Sequence, residues 1–152
     1  MTSPPVESSP GTQPARACVV ALEGQRFAIE VRYAREVVAL EEYTIVPLAP
    51  GYLLGVANLR GAIVPLIDVR PLLGLAPAVP GREIRVLLAE ADGLQIGFLI
   101  DRVQGLEPLD TPAMPEGTGG GIVSLRLPQP DGAVDLIDVH AVVAAIGAGA
   151  PA

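Results

Sequence analysis

Residues 61–69 read Gly-Ala-Ile-Val-Pro-Leu-Ile-Asp-Val, and residues 132–139 read Gly-Ala-Val-Asp-Leu-Ile-Asp-Val. Each stretch holds a glycine turn, an apolar strand and an aspartate placed to cap a following helix. Because the two copies begin as far apart as residues 61 and 132, the repeat predicts two similar β-subdomains rather than a solenoid of short units. Chance recurrence in a chain rich in Val, Leu and Ile is the alternative, but the shared capping aspartate favours the repeat.

Short apolar runs with a period of two surround these stretches. Residues 26–32 alternate cleanly, which places Phe27, Ile29 and Val31 on one face of a strand. The turn at 23–25 joins this strand to the one before it. Further strands are predicted at 17–22, 36–40, 55–59, 62–67, 85–90, 94–103, 122–127 and 133–137. Many short strands at regular spacing are typical of barrels and sandwiches.

Helical signals are confined to the residues that follow the two repeats. After the first repeat, Asp68 can cap a helix, Pro71 suits its first turn and Gly74 can end it. After the second repeat, Asp138 is the predicted cap and Gly147 the predicted stop. The sequence therefore predicts a mainly β protein with one short helix and one helix close to residue 147.

The composition excludes several classes of function. All ten basic residues are arginines, against 17 Asp and Glu, with one His, one Cys and a net charge of −7. A phosphate-binding P-loop and a Schiff-base enzyme both need lysine, and structural zinc needs three or four Cys or His ligands. The acidic balance and the few aromatic residues argue against nucleic acid binding. With no apparent signal peptide or membrane span, a soluble cytoplasmic protein without metal or cofactor is expected.

The most informative segment is residues 55–70, Gly-Val-Ala-Asn-Leu-Arg-Gly-Ala-Ile-Val-Pro-Leu-Ile-Asp-Val-Arg. Its pattern predicts strand, tight turn, strand and helix cap, and by pattern alone Arg60 is a solvated turn residue. The segment closely resembles the signature of CheW-like coupling proteins of bacterial chemosensory systems. The resemblance extends over roughly Cys18 to Ile146, through residues 27–31, 35–37, 46–54 and 97–103.

This resemblance implies a fold of two intertwined five-stranded barrels, SH3-like or OB-like, that share a hydrophobic seam. It also implies a non-catalytic adaptor that links the cytoplasmic tip of a chemoreceptor to the regulatory domain of a histidine autokinase. An edge strand or apolar patch on each barrel would meet similar barrels of the kinase, and a groove between the barrels would take the receptor tip. The partner-binding positions carried over are Ala34, Glu36, Gly55, Asn58 and Arg60, with Glu36 and Arg60 expected to form a pair.

Other residues that suggest chemistry have simpler interpretations. Asp101 ends an apolar strand, His140 lies in the first turn of the last helix, and Ser124 lacks a nucleophile-elbow sequence. Cys18 is predicted to be a small core residue. The Gly-rich stretch 117–121 is predicted to be a flexible hairpin or subdomain connection. It is shorter than in the family, which leaves two alternatives open: altered kinase docking, or a divergent kinase as the partner.

The domain prediction is a disordered tail at 1–15, a CheW-like domain at 16–147 and a tail at 148–152. Two alternatives to swimming chemotaxis stay open at this point. One is an adaptor of a pilus, gliding or developmental pathway, which the sequence does not separate from chemotaxis. The other, from a different class, is a small β-barrel enzyme or ligand-binding protein, which would need buried polar side chains converging on a pocket.

Overall fold

The structure, a computed structural model, describes residues 15–109, 121–129 and 132–149. Strands form most of the described chain, from short apolar runs that either alternate with polar residues or are buried on both faces. The strands and helices are β1 (Ala15–Leu22), β2 (Gln25–Glu30), β3 (Ala34–Leu40), β4 (Leu53–Leu59), β5 (Ala62–Ile67), α1 (Val69–Leu72), β6 (Ile84–Ala91), β7 (Leu94–Ile100), β8 (Arg102–Leu109), β9 (Val123–Gln129), β10 (Gly132–Ile137) and α2 (Val139–Gly149).

The strands form two five-stranded sheets with the same internal order. The terminal sheet runs β8-β1-β2-β10-β9, and the central sheet runs β3-β6-β7-β5-β4. Adding five to each strand number of the terminal sheet, and continuing from β10 to β1, gives the strand order of the central sheet. The sheets are intertwined because β3 leaves the β1–β2 hairpin to join the central sheet, and β8 returns from the β6–β7 hairpin to the terminal sheet. The predicted fold class is therefore confirmed, and the two sheets repeat one strand order.

The register of the strands repeats as closely as their order. Leu66 pairs with Gly97 in parallel, and Leu136 pairs with Ala28 in parallel. Bulges fall at equivalent places: between Ala34 and Glu36 in the pairing of β3 with β6, and opposite Val19 and Val20 in that of β8 with β1. The central sheet also has a bulge in β4, and the terminal sheet has one in β9. Because bulges bend a strand and increase its twist, both sheets curl in the same way.

Three hairpins close through two-residue turns with left-handed backbone at both positions. The turn residues are Glu23–Gly24, Arg60–Gly61 and Asp92–Gly93, with φ values between 49° and 86°. Turns of this kind match the right-handed twist of the strands, and glycine is favoured at the second position because it has no Cβ.

The hydrophobic core consists of two clusters. One lies on the inner face of the terminal sheet and consists of Ala17, Val19, Ala28, Leu125, Leu127, Val134 and Leu136. The other continues from the central sheet into the space between the sheets, where the rings of Phe27 and Phe98 are 6.3 Å apart. The second cluster is the hydrophobic seam shared by the two subdomains.

Both predicted helix caps are confirmed. Asp68 accepts a hydrogen bond from the amide of Arg70, and Asp138 accepts one from the amide of Ala141. Helix α1 ends at Leu72 and is followed by Gly74 with φ 81°, as predicted. Helix α2, with 11 residues, is the longer of the two, and no helix in the described ranges has the length and apolar character to cross a membrane.

Two predicted boundaries were wrong, and one strand was missed. Helix α2 continues through Gly147 to Gly149, because a single glycine costs a helix only about 1 kcal/mol. The single strand predicted at 94–103 is two strands that separate at Asp101, whose amide donates to the carbonyl of Ala21. Most of β8 was not predicted, since its bulge disturbs the period of two. The predicted tails lie outside the described residues, apart from Ala15 in β1 and residues 148–149 in α2, and so does the predicted connection at 117–120.

Candidate partner-binding site

An exposed ion pair between Glu36 and Arg60 is the most defined polar feature on the central sheet. Glu36 lies on β3, and Arg60 lies in the turn between β4 and β5, so the pair spans the two edges of that sheet. Nη1 of Arg60 donates to Oε2 of Glu36 at 2.5 Å, and Nη2 donates to Oε1 at 3.1 Å. This bidentate geometry fixes both side chains in one orientation, which the single ammonium group of lysine cannot do.

The local sequence explains how Arg60 is presented. Its backbone has φ 55°, and the next residue, Gly61, has φ 86°. Asn58 supports the turn because its side-chain oxygen accepts a hydrogen bond from the Gly61 amide at 3.2 Å. A left-handed arginine carries some backbone strain, which the hairpin holds in place.

The pair perturbs the ionisation of both partners. The hydrogen bond from Arg60 lowers the pKa of Glu36 below its ordinary value, and the same hydrogen bond raises the pKa of Arg60. The arginine side chain is 73% exposed and that of Glu36 is 39% exposed, so solvent screens their attraction. The pair therefore contributes little to stability and mainly fixes the shape and charge of this surface.

Gly55 allows the central sheet to close. The segment after β3 pairs with β4 through Thr44 and Val56, whose amides and carbonyls form two hydrogen bonds of 2.8 Å. A Cβ atom on Gly55 would lie 2.4 Å from the carbonyl oxygen of Thr44, so no other residue fits without movement. The role of Thr44 was not predicted from the sequence, although a glycine inside a strand is a signal of close backbone approach.

Ala34 begins β3 on the far side of a bulge from Glu36. The bulged residue is Arg35, which lies 3.6 Å from a carboxylate oxygen of Glu90 and donates a hydrogen bond to the carbonyl of Arg32. Ala34 and Glu36 therefore share one strand, while Gly55, Asn58 and Arg60 share β4 and its turn.

An open groove runs beside these residues. It has a volume of about 790 Å³ and lies between the end of β3 and the middle of β4. Its lining includes Thr44, Val56 and Asn58, together with the exposed residues Glu41 and Glu42. A smaller cavity of about 180 Å³ lies between the two sheets, where Leu22 and Asp101 are among its lining residues.

The other residues considered from the sequence do not converge on one site. Asp101 accepts a hydrogen bond from the Glu23 amide at 2.7 Å, and Ser124 donates to the carbonyl of Leu136. His140 is exposed and its Nδ1 lies 2.8 Å from a carboxylate oxygen of Asp92. Cys18 is buried, and its burial raises the pKa of the thiol, which confirms it as a core residue. In the described ranges, Asp68 is the one buried charged side chain, and backbone amides occupy both of its oxygens.

The fold defines a class of mainly β protein in which two five-stranded sheets exchange strands. Residues 16–145 match the family model of the CheW-like domain, and the chain belongs to that family. A solved structure, the scaffolding protein TtCheW from Thermoanaerobacter tengcongensis, superposes with a TM-score of 0.68 at 25% identity, covering 82% of this chain and 89% of that one.

Curated relatives agree with this assignment. The chain is 35% identical over 82 residues to the probable chemotaxis protein CheW of Rhizobium etli, covering 54% of this chain and 53% of that protein. It is also 31% identical over 90 residues to protein PilI of Pseudomonas aeruginosa, covering 58% of this chain and 51% of that protein. The alignments therefore span about half the length of these relatives.

Proposed function

We propose that this protein is a non-catalytic, cytoplasmic adaptor that couples chemoreceptors to a histidine autokinase in a bacterial chemosensory pathway. Membership of the CheW-like family supports this proposal, as does the likeness to a scaffolding protein. Residues 16–147 form the adaptor domain in this proposal, with the predicted tails on either side. The adaptor transmits a signal by changing how receptor and kinase are held, which involves no bond-making step.

The observation that carries the proposal is the exposed bidentate pair of Glu36 and Arg60. A pair that adds little stability but fixes two long side chains is suited to forming a docking surface. Ala34, Gly55 and Asn58 belong to the same surface in this proposal, and the receptor tip binds there and along the adjoining groove. The acidic residues Glu41 and Glu42 of that groove favour basic side chains on the receptor helix.

The kinase regulatory domain binds separately in this proposal, through apolar surface that the adaptor leaves exposed. Val37 on β3 is an example, since its side chain is exposed although both of its strand neighbours are half-buried. Apolar patches at the edge of a sheet suit contact with a partner of similar β structure.

Arg60→Ala tests the receptor contact. We expect the variant to keep its fold and thermal stability but to bind a receptor-tip fragment about tenfold more weakly, because the docking surface loses its fixed shape. Arg126→Ala is the matched control. Arg126, whose side chain is 67% exposed, forms an ion pair with Asp135 at 2.8 Å, but on the terminal sheet. Binding is measured by isothermal titration calorimetry for both variants and for the parent protein.

Two results would contradict the proposal. If Arg60→Ala binds the fragment as the parent does, the pair is not part of the receptor surface. If the parent binds neither the receptor fragment nor the kinase regulatory domain in co-purification, the adaptor function itself is wrong, whatever the fold.

A pilus, gliding or developmental pathway is the second candidate, supported by the similarity to protein PilI of Pseudomonas aeruginosa. The same surface would then bind the receptor of that pathway. Competition between receptor-tip fragments of the two kinds for the protein would distinguish the pathways, and the tighter fragment identifies the partner.

A further inference from the structure

Strand β8 is an edge strand of the terminal sheet, and β1 is its neighbour in that sheet. Its counterpart in the central sheet is β3, where the Thr44–Val56 bridge and the Glu36–Arg60 pair join the two edges. Within the described ranges, no such bridge joins β8 to β9. An unpaired strand edge presents N–H and C=O groups that another chain can pair with.

A bulge at Gln104 determines where the side chains of β8 point. Val103 pairs with Val20 and Leu106 pairs with Cys18, whereas Arg102 pairs with Ala21 and Glu107 with Ala17. Paired residues in an antiparallel ladder point to the same face, and neighbours along β1 alternate. Val103 and Leu106 therefore share one face of the sheet, and Arg102 and Glu107 share the other. Without a bulge, residues three apart would lie on opposite faces.

These four side chains are available for a partner. Val103 is 43% exposed and Leu106 is 53% exposed, so two large apolar side chains of one strand present surface to solvent. Arg102 and Glu107 form no ion pair and no side-chain hydrogen bond with the described part of the chain. An edge that leaves both apolar and charged side chains without partners indicates an interface.

The sequence of this edge is complementary to itself. If two copies of β8 lie antiparallel about a two-fold axis between Gln104 and Gly105, Arg102 of each copy faces Glu107 of the other. In the same register Val103 of each copy faces Leu106 of the other. Charges pair on one face and apolar residues pair on the other, each twice. Cross-strand pairs of both kinds stabilise antiparallel sheets.

We infer that the partner of β8 is a second copy of this chain, and that two terminal sheets join through their β8 strands into a symmetric dimer. The contact is isologous, so it closes at two subunits. It is small, with its pairing interrupted at the bulge, so the dimer is weak. Strand β3 and the Glu36–Arg60 pair lie on the other sheet and stay free, so this dimer goes beyond the proposed adaptor function and does not depend on it.

Sedimentation velocity on the full chain tests the dimer, over protein concentrations from about 10 µM to about 1 mM. We expect a concentration-dependent shift from monomer to dimer in the parent protein. Arg102→Glu and Glu107→Arg should each weaken association by about tenfold. In a symmetric dimer residues 102 and 107 face each other at two places, so either substitution creates two pairs of like charges. The double variant Arg102→Glu with Glu107→Arg restores opposite charges and should regain dimerisation.

A matched control exchanges two exposed charges away from the interface, Arg82→Glu with Glu83→Arg, and should leave association unchanged. Far-UV circular dichroism and thermal melts verify that every variant is folded. A parent protein that stays monomeric across the range overturns the inference. So does a dimer that both single variants preserve, a double variant that fails to recover, or growth beyond a dimer.

Discussion

The central and terminal sheets share one strand order and one set of bulges, but their inner faces are built differently. Gly55 and Leu125 occupy equivalent positions, since each pairs with the leucine of its Leu-Ile-Asp-Val sequence. Ala57 and Leu127 are equivalent in the same way, because each pairs with the inward valine of the neighbouring strand. The central sheet thus has small residues where the terminal sheet has leucines.

This difference shows two ways to complete a curled sheet. In the central sheet, small side chains let the backbone at Thr44 come close to β4 and close the edge with hydrogen bonds. In the terminal sheet, Leu125 and Leu127 fill the interior with apolar volume, and a backbone cannot approach Leu125 as Thr44 approaches Gly55. One sheet gains stability from closure, and the other gains it from burial.

The largest expected effect concerns the filled interior. Leu125→Ala should lower the free energy of unfolding by about 3 kcal/mol, because a buried leucine is replaced and a cavity remains. The measurement is urea denaturation followed by circular dichroism. Leu48→Ala is the control, because Leu48 is fully exposed, and its change should stay within about 0.5 kcal/mol. Equal losses in the two variants would refute the filling role of Leu125.

A substitution that adds a side chain at Gly55 tests the closed central sheet. Gly55→Ala should cost about 2 kcal/mol, because the new Cβ would overlap the carbonyl oxygen of Thr44 and force the edge apart. Amide exchange at Thr44 and Val56 should accelerate in this variant. Gly105→Ala on β8 is the control, since no atom lies within 4 Å of its added Cβ. An unchanged exchange rate at Thr44 would contradict the close-approach argument.

The two helix caps offer a matched comparison of smaller size. Asp68 is 3% exposed and accepts hydrogen bonds from the amides of Arg70 and Ala78, whereas Asp138 is half-buried and caps Ala141. Asp68→Ala should cost about 2 kcal/mol, because it leaves a buried amide without a partner. Asp138→Ala should cost about 1 kcal/mol, as an ordinary cap does. The same denaturation experiment measures both, and equal costs would mean that the bond to Ala78 adds nothing.

The smallest expected effect is the pH dependence of the Glu36–Arg60 pair. The pKa of Glu36 is lowered in the folded state, so its contribution to stability is complete above the pKa of an unfolded glutamate, near 4.5. That contribution is lost as the pH falls through the lowered pKa that Glu36 has in the folded protein. A carbon-13 NMR titration of the carboxyl group should therefore show Glu36 ionising below the ordinary range. In Arg60→Ala the value should return towards the ordinary range, and a titration unaffected by that change would rule out the pairing as its cause.

Much of the fold was predictable from local sequence patterns. The period of two placed nine of the strands, and the capping aspartates placed the start of both helices, because strands and caps depend on neighbouring residues. The strand β8 and the position of Asp101 were missed, since a bulge and a long-range hydrogen bond to Ala21 leave no periodic signal. The pairing of Glu36 with Arg60 was expected from the family resemblance, whereas the pattern alone indicated a solvated turn residue.

The sequence by itself determined the repeat, the apolar core residues and the absence of lysine chemistry, because these depend on residue type and spacing. Only the tertiary structure decided which edges close, why Gly55 must lack a side chain, and that the repeats exchange strands. Those features arise where distant segments meet, as with Thr44 beside Gly55 or Leu66 beside Gly97. Contacts between segments far apart in the chain are fixed by packing and hydrogen bonding in three dimensions, which no local pattern specifies.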